Sequence, residues 1–316
     1  MKRSLFLCVL VLAALQFFST TAISEQIGDC SRCHKFDAVG KVLHPAVVMG
    51  CKVCHTEPHT KGAKFRKGLM AEGAKLCYAC HNKAEFIKKT SHPPVKAGDC
   101  SSCHEPHISD NQKLLIAPMP ELCYNCHDKT AFTKPVIHSP VQGGMCDACH
   151  NPHSTDSQKL LLSDEVCFNC HPKETLITGK IVHSPVAQGM CAGCHNPHSS
   201  DSQKLLLSDE VCFNCHPKET LITGKVVHSP VAEGMCAGCH SPHSSELPRL
   251  ISSNEVCFSC HPKDTFVKAK VVHAPVQAGM CPSCHTPHSS NAKKMLLLDT
   301  PKLCYKCHNE KEFTQK

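Results

Sequence analysis

Apolar positions in this chain form one long run and many very short ones. The long run is Leu5 to Phe18, preceded by Lys2 and Arg3 and followed by Thr20, Thr21 and Ala22. A basic start, an apolar middle and a small-residue end are the parts of an export signal, so residues 1–22 read as a signal peptide and the processed chain begins near Ile23. The run is short of the ~20 residues a spanning helix needs, and no other run could cross a bilayer. Cys8 lies inside the run rather than at its end, which argues against a lipid anchor.

Beyond residue 22 no period-two alternation is long enough to predict a sheet. Helix signals are brief. Ser208 is placed to cap a helix with Asp209 and Glu210 in its first turn, carrying Cys212 to His216 and stopping at Pro217, which opens a second turn ending near Gly224. The His-Ser-Pro-Val segments, such as the one from His183, read as extended because the residue before proline avoids the helical region.

The short pieces recur. The stretch from His183 to Lys225 returns from His138 and from His228 with few changes, and looser copies begin at His44, His92 and His273. The chain therefore divides into a signal peptide (1–22), a lead (23–43) and six repeats: 44–91, 92–137, 138–182, 183–227, 228–272 and 273–316. Each repeat holds a His-x-Pro-Val start, a first Cys-x-x-Cys-His, a Pro-His, usually a Lys-Leu-Leu, and a second Cys-x-x-Cys-His. Repeat one is the loosest, with its proline directly after His44. The lead carries one further motif, Cys30 to His34.

Composition sharpens the problem. Trp is absent, there are 12 Phe and 3 Tyr, and Cys reaches 27. The bulky side chains that fill an ordinary core are scarce, so something else must fill the interior.

Cys-x-x-Cys-His is the attachment signature of c-type haem. Positions i and i+3 share a face of a helical turn, so both thiols can reach one porphyrin, while the histidine at i+4 projects toward the iron. The cysteine pairs are Cys30 and Cys33, Cys51 and Cys54, Cys77 and Cys80, Cys100 and Cys103, Cys123 and Cys126, Cys146 and Cys149, Cys167 and Cys170, Cys191 and Cys194, Cys212 and Cys215, Cys236 and Cys239, Cys257 and Cys260, Cys281 and Cys284, Cys304 and Cys307. Their proximal histidines are His34, His55, His81, His104, His127, His150, His171, His195, His216, His240, His261, His285 and His308. That predicts thirteen haem c groups and leaves only Cys8 over. A disulfide framework does not explain a histidine after every second cysteine. Zinc could take Cys191, Cys194, His195 and His198, but the second motif of each repeat lacks the adjacent Pro-His.

The other twelve histidines fall into two sets in register with the motifs. His44, His92, His138, His183, His228 and His273 open the repeats, and His59, His107, His153, His198, His243 and His288 follow proline. They are the candidate distal ligands. A histidine three residues past a proximal one lies on the same side of the porphyrin, so the Pro-His set must serve other haems.

These motifs in combination resemble the doubled-CXXCH family of multihaem cytochromes over about residues 28 to 310. The resemblance implies a mostly irregular, repeat-built cytochrome c with short α-helices wrapped around a haem stack, acting as a bis-histidine electron carrier in anaerobic or extracellular respiration. It implies an exported protein, periplasmic or extracellular, that meets redox partners such as other cytochromes or a membrane quinol-linked complex. A homopolymer and an outer-membrane conduit both fit. The formal charge of +7 does not point to nucleic acid, because haem propionates would reverse it and no basic patch with interleaved aromatics exists. No catalytic residues are recognisable, so the chain reads as an electron carrier and not an enzyme; the alternative is a multihaem reductase of a small oxyanion at one haem without a histidine distal ligand.

Thirteen proximal histidines meet twelve spare ones, so one haem is odd. Its expected place is an end of the chain, at His34 or at His308, with the N-terminal haem favoured and Met49, Met295, water or a partner's residue as its ligand. Met145, Met190, Met235 and Met280, each directly before a first motif, read as core packing.

Overall fold

A computed structural model describes Cys30, residues 32–35, Val39 and residues 41–314, so the signal reading of residues 1–22 lies outside the described residues. The chain forms two compact units, one of residues 1–129 and 140–166, the other of residues 130–139 and 167–316. Among the described residues no helix is long and apolar enough to cross a membrane.

Short elements repeat in both units, and repeat four shows them. His183 is extended (φ −61°, ψ 132°) and stands before the helix Ser184–Ala187. The whole His-Ser-Pro-Val segment was expected to be extended; only its histidine is. A proline in the first helical turn forfeits no hydrogen bond and its fixed φ suits the helix. The chain then turns back, Met190 N–H donating to the Pro185 carbonyl at 2.8 Å, into the 3₁₀ turn Cys191–Gly193 of the first motif.

The helix expected from Ser208 contracts to the 3₁₀ turn Val211–Asn214, and the turn after Pro217 is the helix Lys218–Leu221, short of Gly224. Elements of four residues make too few bonds to offset helix nucleation, so tertiary contacts set their limits. The Ser208 backbone carbonyl, not its hydroxyl, accepts the Val211 N–H. Glu210 does not serve the helix end either: its carboxylate meets Lys218 Nζ at 3.0 Å, and that ammonium lies 5.0 Å from the centre of the Phe213 ring.

Two-residue antiparallel ladders, which no sequence alternation announced, pair the two residues just before one repeat with the repeat that comes after it. In the first unit Val42–Leu43 pairs with Ile108–Ser109, and Thr90–Ser91 with Ser154–Thr155. In the second, Val136–Ile137 pairs with Ser199–Ser200, Ile181–Val182 with Ser244–Ser245, and Val226–Val227 with Ser289–Ser290. Each ladder sets the strand before a repeat-opening histidine against the residues after the Pro-His of the next repeat.

Those small hydroxyl residues are nearly all buried, and they include the best-buried side chains among the described residues. Ser199 is fully buried and donates to the Ala131 carbonyl at 3.0 Å. Ser244 accepts the N–H groups of Thr178 and Gly179 at 3.0 and 3.1 Å. Gly179 is needed there, because a Cβ would stand 2.2 Å from the Ser245 carbonyl carbon.

Buried apolar side chains among the described residues are only Val47, Val166, Val211 and Ala292. Met145, Met190, Met235 and Met280, expected as core packing, are 52–55 % exposed within the polypeptide alone. The chain is thus an irregular, repeat-built scaffold of short helices and paired strand fragments.

Replacing Ser244 by Ala strands two backbone N–H groups. It should cost about 1–3 kcal/mol and speed amide exchange at Thr178 and Gly179, read by hydrogen–deuterium exchange, while the equivalent amides of Thr223 and Gly224, held by Ser289, stay protected.

Candidate functional site

All thirteen Cys-x-x-Cys-His motifs close the same turn. The histidine N–H donates to the carbonyl of the first cysteine at 2.9–3.0 Å in every copy, from His34 on Cys30 to His308 on Cys304. One closed turn brings both thiols and the imidazole to one side, the arrangement a doubly tethered porphyrin with an axial histidine requires. The 26 cysteines of the motifs are free of disulfides. Among the described residues no three His, Cys, Asp or Glu side chains converge on a metal ion, so the zinc set of Cys191, Cys194, His195 and His198 is not assembled.

The Lys-Leu-Leu segment turns out to serve the first motif. Lys204 and Leu205 both take left-handed backbone (φ 56° and 58°), as do Lys113 and Leu114, Lys159 and Leu160, Arg249 and Leu250, Lys294 and Met295. Such a pair is strained by roughly 1–2 kcal/mol per residue. It turns two successive carbonyls toward the motif: the Lys204 carbonyl accepts from His195 Nδ1 at 2.9 Å, and that of Leu205 from Asn196 N–H at 2.7 Å. The same bond holds His55, His104, His150, His240 and His285. With Nδ1 donating, Nε2 is the lone-pair nitrogen and is free for a metal.

Repeat-opening histidines are oriented by the following repeat. His138, His183 and His228 donate from Nδ1 to the carbonyls of Pro197, Pro242 and Pro287 at 2.9–3.0 Å, and their backbone N–H groups donate to the carbonyls of His198, His243 and His288. Residue counting located both histidine sets, but it missed these orienting carbonyls. For the proximal set the signal was the nine-residue step from His104, His150, His195 and His285 to Lys113, Lys159, Lys204 and Lys294, which Arg249 also keeps and Lys67 does not.

Imidazoles face each other in pairs. In the first unit the pairs are His34 with His59, His44 with His81, His55 with His107, His92 with His127, and His104 with His153. In the second they are His138 with His171, His183 with His216, His195 with His243, His228 with His261, His240 with His288, and His273 with His308. Eleven centroid separations fall between 5.8 and 6.1 Å. Two metal–imidazole bonds of about 2 Å plus a ring radius of about 1 Å on each side give about 6 Å, whereas simple ring contacts scatter over about 4.5–7 Å. The residues fit a bis-histidine haem at each pair.

The pairing follows one rule. A second motif takes the opening histidine of its own repeat, and a first motif takes the Pro-His of the next repeat. The lead motif behaves as a first motif and takes His59.

The expected position of the odd haem is therefore corrected. His34 and His308 both face a histidine, and Met49 is 73 % exposed. All 25 histidines lie within the described residues, and among those residues His285 has no histidine ring opposite it; its Nδ1 donates to the Lys294 carbonyl at 3.0 Å.

Burial, followed by the facing His195, holds His243 below the ordinary histidine range; the same causes act on His153 with His104 and on His288 with His240. The lowering favours the neutral ring, the form that can act as a ligand. Thiols of successive motifs also sense one another. Burial raises Cys77, Cys123, Cys212 and Cys257, and the neighbouring motifs' thiols at Cys100, Cys146, Cys236 and Cys281 raise them further. Within each unit, attachment points thus adjoin in chain order.

Comparison with known proteins agrees with this geometry. The family described as doubled CXXCH motif matches residues 92–132, 138–176, 183–221, 228–266 and 273–313, and that of cytochrome c7 and related cytochrome c matches residues 37–105. The multiheme cytochrome MtrA of Shewanella baltica is 32 % identical over 97 residues, which are 29 % of this chain and 28 % of that protein. With its paired motifs, haem-binding turns and facing imidazoles, the chain belongs to the doubled CXXCH family of multihaem c-type cytochromes.

Proposed function

We propose that the chain carries thirteen haems, most of them bis-histidine, and conducts electrons along its length between redox partners in the periplasm or outside the cell. The observation that carries this reading is the uniform 5.8–6.1 Å separation of the imidazole pairs, in register with every repeat. Bound haem supplies a one-electron iron couple.

The chain's own residues account for the rest. Cysteine pairs fix each tether. The carbonyls of Lys204 and its equivalents hold the proximal rings, and those of Pro197, Pro242 and Pro287 hold distal ones. Rings locked in this way change little when the metal charge changes, which keeps the reorganisation cost of electron transfer low. Adjoining thiols of successive motifs keep the tethers close, the spacing that hopping needs. The exported, six-repeat organisation and the role in respiration belong to this proposal.

Intact-mass analysis of the purified protein should show thirteen haem additions per chain; an apo mass, or zinc in place of haem, would overturn the reading.

Excising residues 183–227 moves the next Pro-His and its serines into the register they replace, opposite Val136–Ile137. The shortened protein should fold and lose two haems, measured by mass and haem absorbance.

Leu205→Ile places a β-branched side chain in left-handed backbone, which it resists, and should loosen the His195 ring. One haem signal should broaden or shift in the electron paramagnetic resonance spectrum, and Leu205→Gly, which relieves the strain, should leave that signal in place.

A further inference from the structure

The facing imidazoles are equally far apart but not equally turned. At the second motifs every pair has its ring planes 13–24° apart. First-motif pairs are less uniform. In the first unit His55 and His107 meet at 12° and His104 and His153 at 26°, whereas in the second His195 and His243 are turned by 48° and His240 and His288 by 40°. The proximal rings do not account for this spread, because His55, His104, His195 and His240 all donate from Nδ1 to a backbone carbonyl at 2.9 Å. The difference lies with the Pro-His rings.

Two of those rings meet a further side chain. Glu105 Oε1 stands 3.4 Å from His107 Nδ1. Phe86 meets His153 in a T-shaped contact, ring centres 5.1 Å apart and planes at 72°, and is itself held against the rings of Tyr78 and His81 at 6.3 and 6.2 Å. Phe86 lies five residues past the proximal His81. Phe132 takes that place in repeat two, with its ring 4.9 Å from that of His198. In repeats three and four the place holds Leu176 and Leu221. Their carbonyls accept from Ser244 and Ser289 Oγ at 3.4 and 3.3 Å, so each backbone passes beside its Pro-His segment, but a leucine has no ring to set against His243 or His288. The lead pair, His34 with His59 at 28°, stands apart because His59 lies on left-handed backbone (φ 64°).

We propose that Phe86 is a positioning residue for electron transfer: its ring turns His153 toward the plane of His104, while the leucines at the same place leave crossed ligand planes at the irons held by His195 and His240. The inference rests on the haem-ligation reading above. Plane angle matters through the iron d orbitals. In low-spin ferric haem one electron is missing from the two d orbitals that overlap with imidazole π electrons. Parallel rings both raise the same orbital, the vacancy settles there, and the ferric form is stabilised; crossed rings raise the two orbitals alike, and the vacancy gains less. Crossed planes therefore give a higher reduction potential and a near-axial iron. A contact outside the ligand shell thus tunes the metal by orienting its ligand. Along the second unit, crossed and near-parallel pairs alternate at His195, His216, His240 and His261.

The test uses the oxidised holoprotein, its haem load first verified by mass. Electron paramagnetic resonance should resolve a near-axial low-spin signal beside a larger rhombic one. Phe86→Leu should move one further haem from the rhombic to the near-axial signal and raise its potential in a redox titration. Phe86→Tyr, which keeps the ring, should leave both signals as they are. Leu221→Phe should do the reverse of Phe86→Leu, moving one haem to the rhombic signal and lowering its potential. A spectrum of the unaltered protein without a near-axial signal would overturn the crossed pairs. Unchanged signals in either Phe86→Leu or Leu221→Phe at full haem load would overturn the role of this position, as would a Phe86→Tyr spectrum matching that of Phe86→Leu. If Phe86→Leu fails to load a haem, Leu221→Phe decides alone. A mass short of thirteen haems in the unaltered protein would instead sink the haem-ligation reading.

Discussion

Two imidazoles held about 6 Å apart, with one of them borrowed from the neighbouring repeat, form the constraint on which the rest of the architecture depends. A ligand supplied from within the same motif would leave each haem-binding turn self-contained and the repeats free to separate. In the proposed ligation, borrowing from the next repeat makes the junctions within each unit metal-linked. The two-residue ladders, the buried serines and the proline carbonyls are best understood as the fittings that present the borrowed ring at the right height and angle.

Secondary structure could be so slight for the same reason. Four-residue helices and two-residue strands are unstable alone, and the buried apolar set is too small to hold them. Covalent tethers and axial bonds would do what a side-chain core does elsewhere. Strain is then tolerable: a left-handed Lys-Leu pair recurs because its carbonyls orient the proximal ring and the neighbouring amide.

What could be read from the residues was whatever repeated with a fixed chemical identity. Cysteine pairs, both sets of spare histidines and the exclusion of self-ligation all followed from spacing, as did the short, irregular fold. Three things did not. The ladders are too short to produce an alternation, and serine is a poor strand former, so Ser244 and Ser289 gave no sign of being core residues. Backbone carbonyls have no letter in a sequence, which hid the task of the Lys-Leu-Leu segment. The direction of pairing was hidden too, because counting gives the number of unmatched histidines but not which repeat supplies each partner. Once His34 is seen facing His59, that direction is set, and the proximal ring with no histidine opposite it among the described residues is that of His285 rather than His34 or His308.

Forward borrowing also gives assembly a direction in time. A second motif finds its partner already made, since His183 precedes His216. A first motif must wait: His195 cannot be matched until the chain has grown as far as His243. As the polypeptide emerges from its N-terminus, the newest first-motif site is always half-finished, and each added repeat closes the site behind it while opening another.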